Sequence, residues 1–130
     1  MINTSLNQLE LTFLLLIVYQ LKHFLADFPL QREYMLKKTS ANWDFAIPLG
    51  LHCLVHSGLT AIIVIYIDSS KWWLIILDFV VHFIMDRIKS GPHYLGRFND
   101  MEKSSYWNCF GLDQMVHHLT HFYIIWNLVS

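Results

Sequence analysis

The sequence predicts an all-α fold, an integral membrane four-helix bundle with a polar cavity of histidine and aspartate side chains in its inner-leaflet half. Three observations predict it. Hydrophobic residues make up 55% of the chain and charged residues only 15%, where about 25% is usual in soluble domains. Four apolar stretches of membrane-spanning length follow one another between short polar segments. Eight histidines occur in this apolar chain, where titratable groups are costly and are usually kept for a function.

The length and charge of the chain limit its partners. With 130 residues there is room for one domain, placed at 1–130. The formal net charge of −1 excludes the basic excess with which proteins bind a phosphate backbone, so no nucleic-acid partner is expected. The mean hydropathy of +0.37 favours membrane lipid as the partner instead. Four short helices also leave open a homo-oligomer that closes the cavity.

Four helices are expected from the apolar stretches. Their approximate bounds are 6–28, 47–67, 71–90 and 107–128. The first stretch stops before Pro29, and at about 23 residues it spans roughly 34 Å, enough to cross a bilayer. Because it has no Lys or Arg before Lys22 and no small-residue cleavage pattern, we expect a retained helix and not a cleaved signal.

Basic residues predict the orientation of the bundle in a cell (inner) membrane. The two longer loops and the end of the third helix carry most of them, and the opposite side has only Lys71. Because basic loops stay on the cytoplasmic side, both termini are expected to lie outside. The basic residues on the cytoplasmic side are Arg32, Lys37, Lys38, Arg87, Lys89, Arg97 and Lys103.

Each predicted helix carries histidines and aspartates at steps of four residues. Such a step rotates by about 400°, so consecutive members lie one turn apart on one face. In an antiparallel arrangement all four sets fall in the inner half of the membrane, although hydropathy alone did not require it. The sets are His23 and Asp27; His52 and His56; Asp78, His82 and Asp86; and Asp113, His117 and His121.

These residue types predict a divalent metal site. Neutral imidazole and carboxylate are ligands of Zn²⁺, Mn²⁺ and Fe, and facing helices of a bundle hold such ions. Because the ligands exceed what one tetrahedral ion uses, we expect two ions, with one ion and a shell of proton-transfer groups as the alternative. Asp86 is the expected general base, with His82 as a second catalytic residue. Arg87 and Lys89 are most simply topology determinants, and a clamp on a substrate phosphate is their weaker interpretation.

The chemistry favours a metal-dependent hydrolase. A bound ion makes hydroxide from water near neutral pH, which attacks a lipid or lipid-linked phosphate at the cytoplasmic leaflet. One alternative is a di-iron lipid oxidase or hydroxylase, suggested by a histidine box with reversed order at 117–121. Another is a metal or proton carrier, which would need polar groups through the outer half as well. The last is a regulatory membrane protein whose polar network only sets helix register.

Four motifs resemble an uncharacterised family of small bacterial and phage membrane proteins, known as a domain of unknown function. They are HFLADFPLQ at 23–31, LHCLVHS at 51–57, DFVVHFIMDRIK at 78–89 and LDQMVHH at 112–118. A looser similarity, through His52, His56 and Ser57, connects the chain with membrane-bound metal-dependent hydrolases. That similarity implies a set of site residues from which His121 is left out: His23, Asp27, His52, His56, Asp78, His82, Asp86, Asp113 and His117.

Overall fold

The computed structural model describes residues 6–130 and shows an all-α chain, which confirms the predicted class. Residues 1–5 of the predicted domain lie outside the described residues. The four α-helices are α1 (Gln8–Asp27), α2 (Ala46–Asp68), α3 (Trp73–Ser90) and α4 (Ser104–Val129). Their ends differ from the predicted bounds by three residues at most, and the largest difference is the earlier start of α4.

Local signals in the sequence fix where the helices begin and end. Asn7 accepts a hydrogen bond from the Glu10 amide, and the Glu10 carboxylate accepts one from the Asn7 amide, each at 2.9 Å. This capping box satisfies two amides that α1 itself leaves without partners. At its other end α1 stops at Asp27, two residues before Pro29, and α3 stops at Ser90, two residues before Pro92. Both helices end there because proline has no amide hydrogen to donate to a continuing helix.

Short 3-10 helices fill the connections between the α-helices. Between α1 and α2 they span Glu33–Thr39 and Trp43–Phe45, between α2 and α3 Ser69–Lys71, and between α3 and α4 Leu95–Arg97. Each α-helix packs against the next along the chain, and α4 packs back on α1. The result is an antiparallel bundle in which every helix presents one face to a shared interior.

The interior of the bundle has an apolar half and a polar half. The apolar half holds one cluster of buried side chains, which includes Leu15 of α1, Val64 of α2, Leu74 of α3 and Ile124 of α4. The histidine and aspartate sets lie beyond it, toward the end of α1 and the start of α2. The sequence prediction that all four sets share one end of the bundle agrees with this arrangement.

Many large hydrophobic side chains lie on the outer surface of the bundle, and about half of the side chains buried inside it are polar or charged. Among residues 6–130, thirteen polar or charged residues are buried but only twelve hydrophobic ones, whereas thirty-five large hydrophobic side chains are exposed. The outer faces of α3 and α4 follow the pattern, with Ile76, Ile84 and Leu119 all more than half exposed. Two segments, Gln8–Asp27 and Trp43–Lys71, are long and apolar enough to cross a bilayer. The structure therefore contains two candidate membrane-spanning helices.

Candidate metal centre

All ten predicted ligands meet in one continuous cluster inside the polar half of the bundle. Nine of them are buried, and Asp27 is partly exposed. Four groups within the cluster have ligand atoms that all lie within 4.8 Å of one another; one consists of histidines alone (His23, His56, His82), and the other three contain carboxylates and together involve every helix. We call these three the Asp27 group (Asp27, His52, His56), the Asp113 group (Asp86, Asp113, His117) and the Asp78 group (Asp78, His82, His121).

The Asp27 group combines one carboxylate of α1 with two imidazoles of α2. His56 Nε2 lies 2.9 Å and His52 Nε2 lies 3.5 Å from Asp27 Oδ1, and His23 Nε2 lies 3.0 Å from Asp27 Oδ2. Ligand atoms that surround one ion at about 2.0–2.1 Å are themselves separated by roughly 2.9–3.4 Å. The distances from the Asp27 oxygens to the ring nitrogens are therefore at or close to those between ligands of a single ion, and they are also hydrogen-bond distances.

The Asp113 group lies beside it and joins α3 to α4. His117 Nε2 is 3.1 Å from Asp86 Oδ1 and 3.1 Å from Asp113 Oδ1. The second oxygen of Asp86 is 3.2 Å from His52 Nε2. Asp86 therefore lies between the two groups, with one oxygen toward each.

The Asp78 group is the most deeply buried of the three. The Asp78 side chain is fully buried, and its Oδ1 lies 3.0 Å from His82 Nδ1. Its Oδ2 accepts hydrogen bonds from Lys22 at 2.9 Å and from Thr60 at 2.6 Å. Because an ammonium and a hydroxyl already satisfy this oxygen, the Asp78 group has the contacts of a structural ion pair.

The imidazoles of the cluster keep ring nitrogens without partners. His82 stacks between His56 and His117, with ring centroids 4.1 Å apart on each side. One buried ring nitrogen in each of six histidines has no hydrogen-bond partner: Nδ1 of His23, His52, His56, His117 and His121, and Nε2 of His82. Buried polar atoms normally find a partner. The unpartnered atom of His52, His56 and His117 is Nδ1, so the candidate ligand atom of each is Nε2, which faces a carboxylate.

Three lysines neutralise three of the four aspartates. The pairs are Lys22 with Asp78 at 2.9 Å, Lys38 with Asp86 at 3.0 Å, and Lys89 with Asp113 at 3.0 Å. Within residues 6–130, Asp27 makes no ion pair with lysine or arginine, and its contacts are with histidines. Asp27 is therefore the carboxylate whose charge an added cation would offset.

A cavity connects the cluster with the exterior of the bundle. It has a volume of about 240 Å³ and is lined by polar groups that include Asp27, Asp86 and His117. A second cleft of about 450 Å³ adjoins it and shares Lys38, Lys89, Asp86 and Phe110 with it. Water and a small anion therefore have access to Asp27 and to the Asp113 group, whereas His52, His56 and the Asp78 group line neither space.

Comparison with known proteins identifies the family. Residues 12–130 match the family DUF3307, described as a protein of unknown function. The chain belongs to the DUF3307 family. The predicted resemblance to an uncharacterised family is thereby confirmed. Searches of curated proteins and of solved structures found no match.

Two predicted site residues of this DUF3307 protein make contacts that the sequence did not indicate. His82 lines neither cavity, and its ring stacks between those of His56 and His117. Arg87 was a weak candidate for a phosphate contact. Its guanidinium lies 3.5 Å from the centroid of the Phe45 ring and donates to the Ser40 carbonyl at 2.9 Å. Arg87 therefore fastens the segment between α1 and α2 to α3.

Two histidines of the DUF3307 chain lie outside the cluster. His93 is exposed in the segment after α3. His118 is partly buried, and its Nδ1 lies 3.1 Å from Gln20 Nε2 at the edge of the α1–α4 contact. Neither was predicted as a ligand, because neither shares the four-residue steps of the other sets.

Sequence reasoning missed several members of the cluster. Lys22 is buried at 3% exposure between Asp78 and His121, and Thr60 and Tyr19 flank the same group. Tyr19 precedes His23 by four residues and Thr60 follows His56 by four. The four-residue spacing from which the ligands were predicted therefore also includes these two residues. Lys22 could have been found from its position inside an apolar helix, where a charged residue needs a partner.

Proposed function

We propose that this protein is an integral membrane, metal-dependent hydrolase that acts on a lipid or lipid-linked phosphate at the cytoplasmic leaflet. The observation that carries the proposal is the Asp27 group. It offers one carboxylate and two imidazole nitrogens within 4.8 Å of one another, and its carboxylate lines a cavity open to water. Catalytic metal sites have this form, with three protein ligands and an open position.

The membrane part of the proposal rests on the exposed surface. Only 28% of the apolar window in Gln8–Asp27 and 33% of that in Trp43–Lys71 are buried inside the bundle, so most of this apolar surface faces outward. A contiguous apolar surface of that extent is unfavourable in water. The charged residues of α3 lower its hydropathy, but Asp78 and Asp86 face the interior. This supports four spanning helices, with the polar half toward the cytoplasm.

We propose one resident ion, held by Asp27, His52 and His56, with His23 beside them. The sequence alone favoured two, because the ligands exceed what one tetrahedral ion uses. Three of these are instead neutralised by lysine, which leaves one carboxylate for one ion. A divalent ion in such a position polarises a bound water, so that hydroxide forms near neutral pH.

Asp86 is the group best placed to accept a proton from that water. It lines the cavity, and its Oδ2 lies 3.2 Å from the ligand nitrogen of His52. In the proposed hydrolysis the oxygen of water forms a bond to phosphorus, and the bond between phosphorus and the alcohol oxygen breaks. The leaving alcohol takes up a proton, and Lys38 and Lys89 at the cavity wall offset the negative charge of the phosphate.

Metal analysis of the purified protein tests the proposal first. Protein extracted in mild detergent, without a metal-affinity step, should contain about one equivalent of a divalent metal by mass spectrometry. Asp27→Asn should lose it, and Asp68→Asn, at the opposite end of the bundle, should keep it. Asp86→Asn should keep the metal but release no phosphate from a lipid phosphate. Metal retained in Asp27→Asn, or turnover retained in Asp86→Asn, would contradict the proposal.

A second candidate function shares the same ligands. Two histidines and one carboxylate are also the ligand set of mononuclear non-haem iron oxygenases, and Asp27, His52 and His56 supply that set. The identity of the metal separates the two functions. Iron, with oxygen consumption in the presence of lipid, would favour the oxygenase, whereas zinc or manganese with phosphate release favours the hydrolase.

A further inference from the structure

We infer that the Asp113 group is a second metal site that fills only when a phosphate is bound, because Lys38 and Lys89 block it by their charge. The inference rests on the proposed function and extends it to the ligand that the site takes. That ligand is a phosphate monoester, and the adjoining cleft favours one that carries an apolar tail.

The ligand atoms of the second site are already in place. His117 Nε2 lies 3.1 Å from Oδ1 of both Asp86 and Asp113, which is again the separation of atoms that share one ion. The lysines hold the other oxygen of each carboxylate, Oδ2. The three facing atoms are therefore free of lysine contacts.

Charge is what keeps a second ion out. With neutral imidazoles, the four aspartates and three paired lysines give the cluster a net charge of −1. One divalent ion at the Asp27 group changes this to +1, and a second would raise it to +3. Charges of one sign repel strongly in a site largely removed from water. A phosphate dianion bound beside the second ion returns the net charge to +1, so the two should bind together.

The two lysines can hold that phosphate. Both line the 240 Å³ cavity and the 450 Å³ cleft. Lys38 Nζ donates to Asp86 and to Gln31, and Lys89 Nζ contacts Asp113 alone. Because an ammonium has three N–H groups, at least one donor on Lys38 and two on Lys89 remain for phosphate oxygens.

The larger cleft indicates what the phosphate is attached to. Beyond the lysines its wall is mainly apolar and comes from the α3–α4 segment and the start of α4. The apolar and aromatic residues of this wall are Pro92, Leu95, Phe98, Tyr106, Cys109 and Phe110. At about 450 Å³ the cleft has the volume of an ordinary small-molecule site. A headgroup at the lysines with an alkyl chain along this wall fits both surfaces.

Counting bound Mn²⁺ with and without phosphate tests the inference. The full chain in mild detergent is stripped with chelator, loaded with Mn²⁺ alone, and then loaded with Mn²⁺ plus inorganic phosphate, a medium-chain alkylphosphonate or the corresponding neutral alcohol. The phosphonate has a C–P bond that hydrolysis does not cleave. We expect one Mn²⁺ alone or with the alcohol, and two with phosphonate. Because Asp86 contacts His52 through Oδ2 and His117 through Oδ1, two ions would lie close together and should give a paramagnetic resonance spectrum with magnetic coupling between them.

The phosphate arms separate the sources of the ligand. Two ions with phosphonate at a concentration at which inorganic phosphate has no effect would support an amphiphilic ligand. Two ions with both at equal concentration would support the phosphate coupling and overturn the role of the apolar wall. One ion with either, or two without any phosphate, would overturn the inference.

Removing the lysine charge gives an independent test. Lys38→Met/Lys89→Met should bind two Mn²⁺ without phosphate, whereas Lys38→Arg/Lys89→Arg, which keeps the charge, should bind one. Lys37→Met, at an exposed neighbouring position, is the matched control and should also bind one. If the double methionine variant does not fold, Lys89→Met alone suffices, since this side chain is 36% exposed. It should bind the second ion at least about tenfold more tightly than the native protein.

The same variants distinguish the inference from the proposed function. No Mn²⁺ in the native protein, with one in the double methionine variant, would refute the resident ion at the Asp27 group and support the block by lysine. No Mn²⁺ in either would overturn both. One Mn²⁺ in both would leave the proposed function standing and overturn the inference.

Discussion

Replacing Asp27 with asparagine should abolish metal binding while leaving the fold intact. Asp27 has no lysine partner, and its side chain is 24% exposed, so the metal-free bundle loses little when this charge is removed. The ion would lose the charged ligand that lies 2.9 Å and 3.5 Å from the two α2 imidazoles. Loss of a partner that only supports a metal ligand costs about 10–100-fold in affinity, so loss of this ligand should cost at least about 100-fold.

That loss converts into a change of stability. Metal at about 100 times its dissociation constant stabilises a protein by about 2.7 kcal/mol, and a hundredfold weaker site retains only about 0.4 kcal/mol. For a chain of this length the difference corresponds to a fall in Tm on the order of 5–10 °C.

Thermal unfolding in detergent, followed by circular dichroism with added metal and with chelator, measures this effect. The native protein should show a metal-dependent rise in Tm, and Asp27→Asn should show almost none while melting near the native Tm in chelator. Asp68→Asn serves as the control for loss of a partly exposed aspartate outside the cluster. An undiminished metal-dependent rise in Asp27→Asn would refute the assignment of this carboxylate as a ligand. A variant that melts far below the native protein in chelator would refute the claim that Asp27 does not hold the fold.

Three further outcomes are expected. Asp78→Asn leaves the buried ammonium of Lys22 without its charge partner and should lower the free energy of unfolding by about 3–5 kcal/mol. The double variant Lys22→Met/Asp78→Leu should recover most of this loss. Chemical denaturation measures the free energy of unfolding of both variants. Gly96→Ala would place a Cβ 2.6 Å from the Ser90 carbonyl oxygen and should destabilise the bundle by about 1–3 kcal/mol. Gly111→Ala, with open space around the added Cβ, should be neutral or slightly stabilising. Thermal unfolding compares the Tm values of the two variants. Lowering the pH from about 7.5 to about 5 should release the metal, because imidazole ligands bind only when unprotonated, and equilibrium dialysis should show the loss.

The helices and the ligand set could be predicted because both follow from local rules. Apolar runs end at Pro29 and at Gly91, and side chains four residues apart share a helix face. Antiparallel packing then brings His23 and His117, on helices far apart in sequence, to ring centroids 5.7 Å apart. Spacing along each helix contains this information, and no tertiary contact was needed to predict it.

The lysine partners could not be predicted in the same way. Lys38 reaches Asp86 only because the 3-10 segment between α1 and α2 folds back on α3, where Arg87 holds the Ser40 carbonyl. That contact depends on the path of a loop, for which the sequence has no periodic signal. Basic residues in loops also satisfy the rule for membrane orientation, so Lys89 had a sufficient explanation without its partner Asp113. Because these lysines pair with three of the four aspartates, we propose one resident ion, where the sequence predicted two.

The order of the charges along the chain has a consequence for how the protein is made. In all three lysine–aspartate pairs of the cluster the lysine precedes its aspartate: Lys22 before Asp78, Lys38 before Asp86, and Lys89 before Asp113. Synthesis runs from the N-terminus, so in the proposed membrane setting each cation is in place before its acidic partner leaves the ribosome. The carboxylates of α3 make that helix unfavourable for insertion by itself. They would enter the membrane beside the ammonium groups of Lys22 and Lys38, which precede them in the chain. The two strongly apolar helices would then assist the insertion of the two that follow.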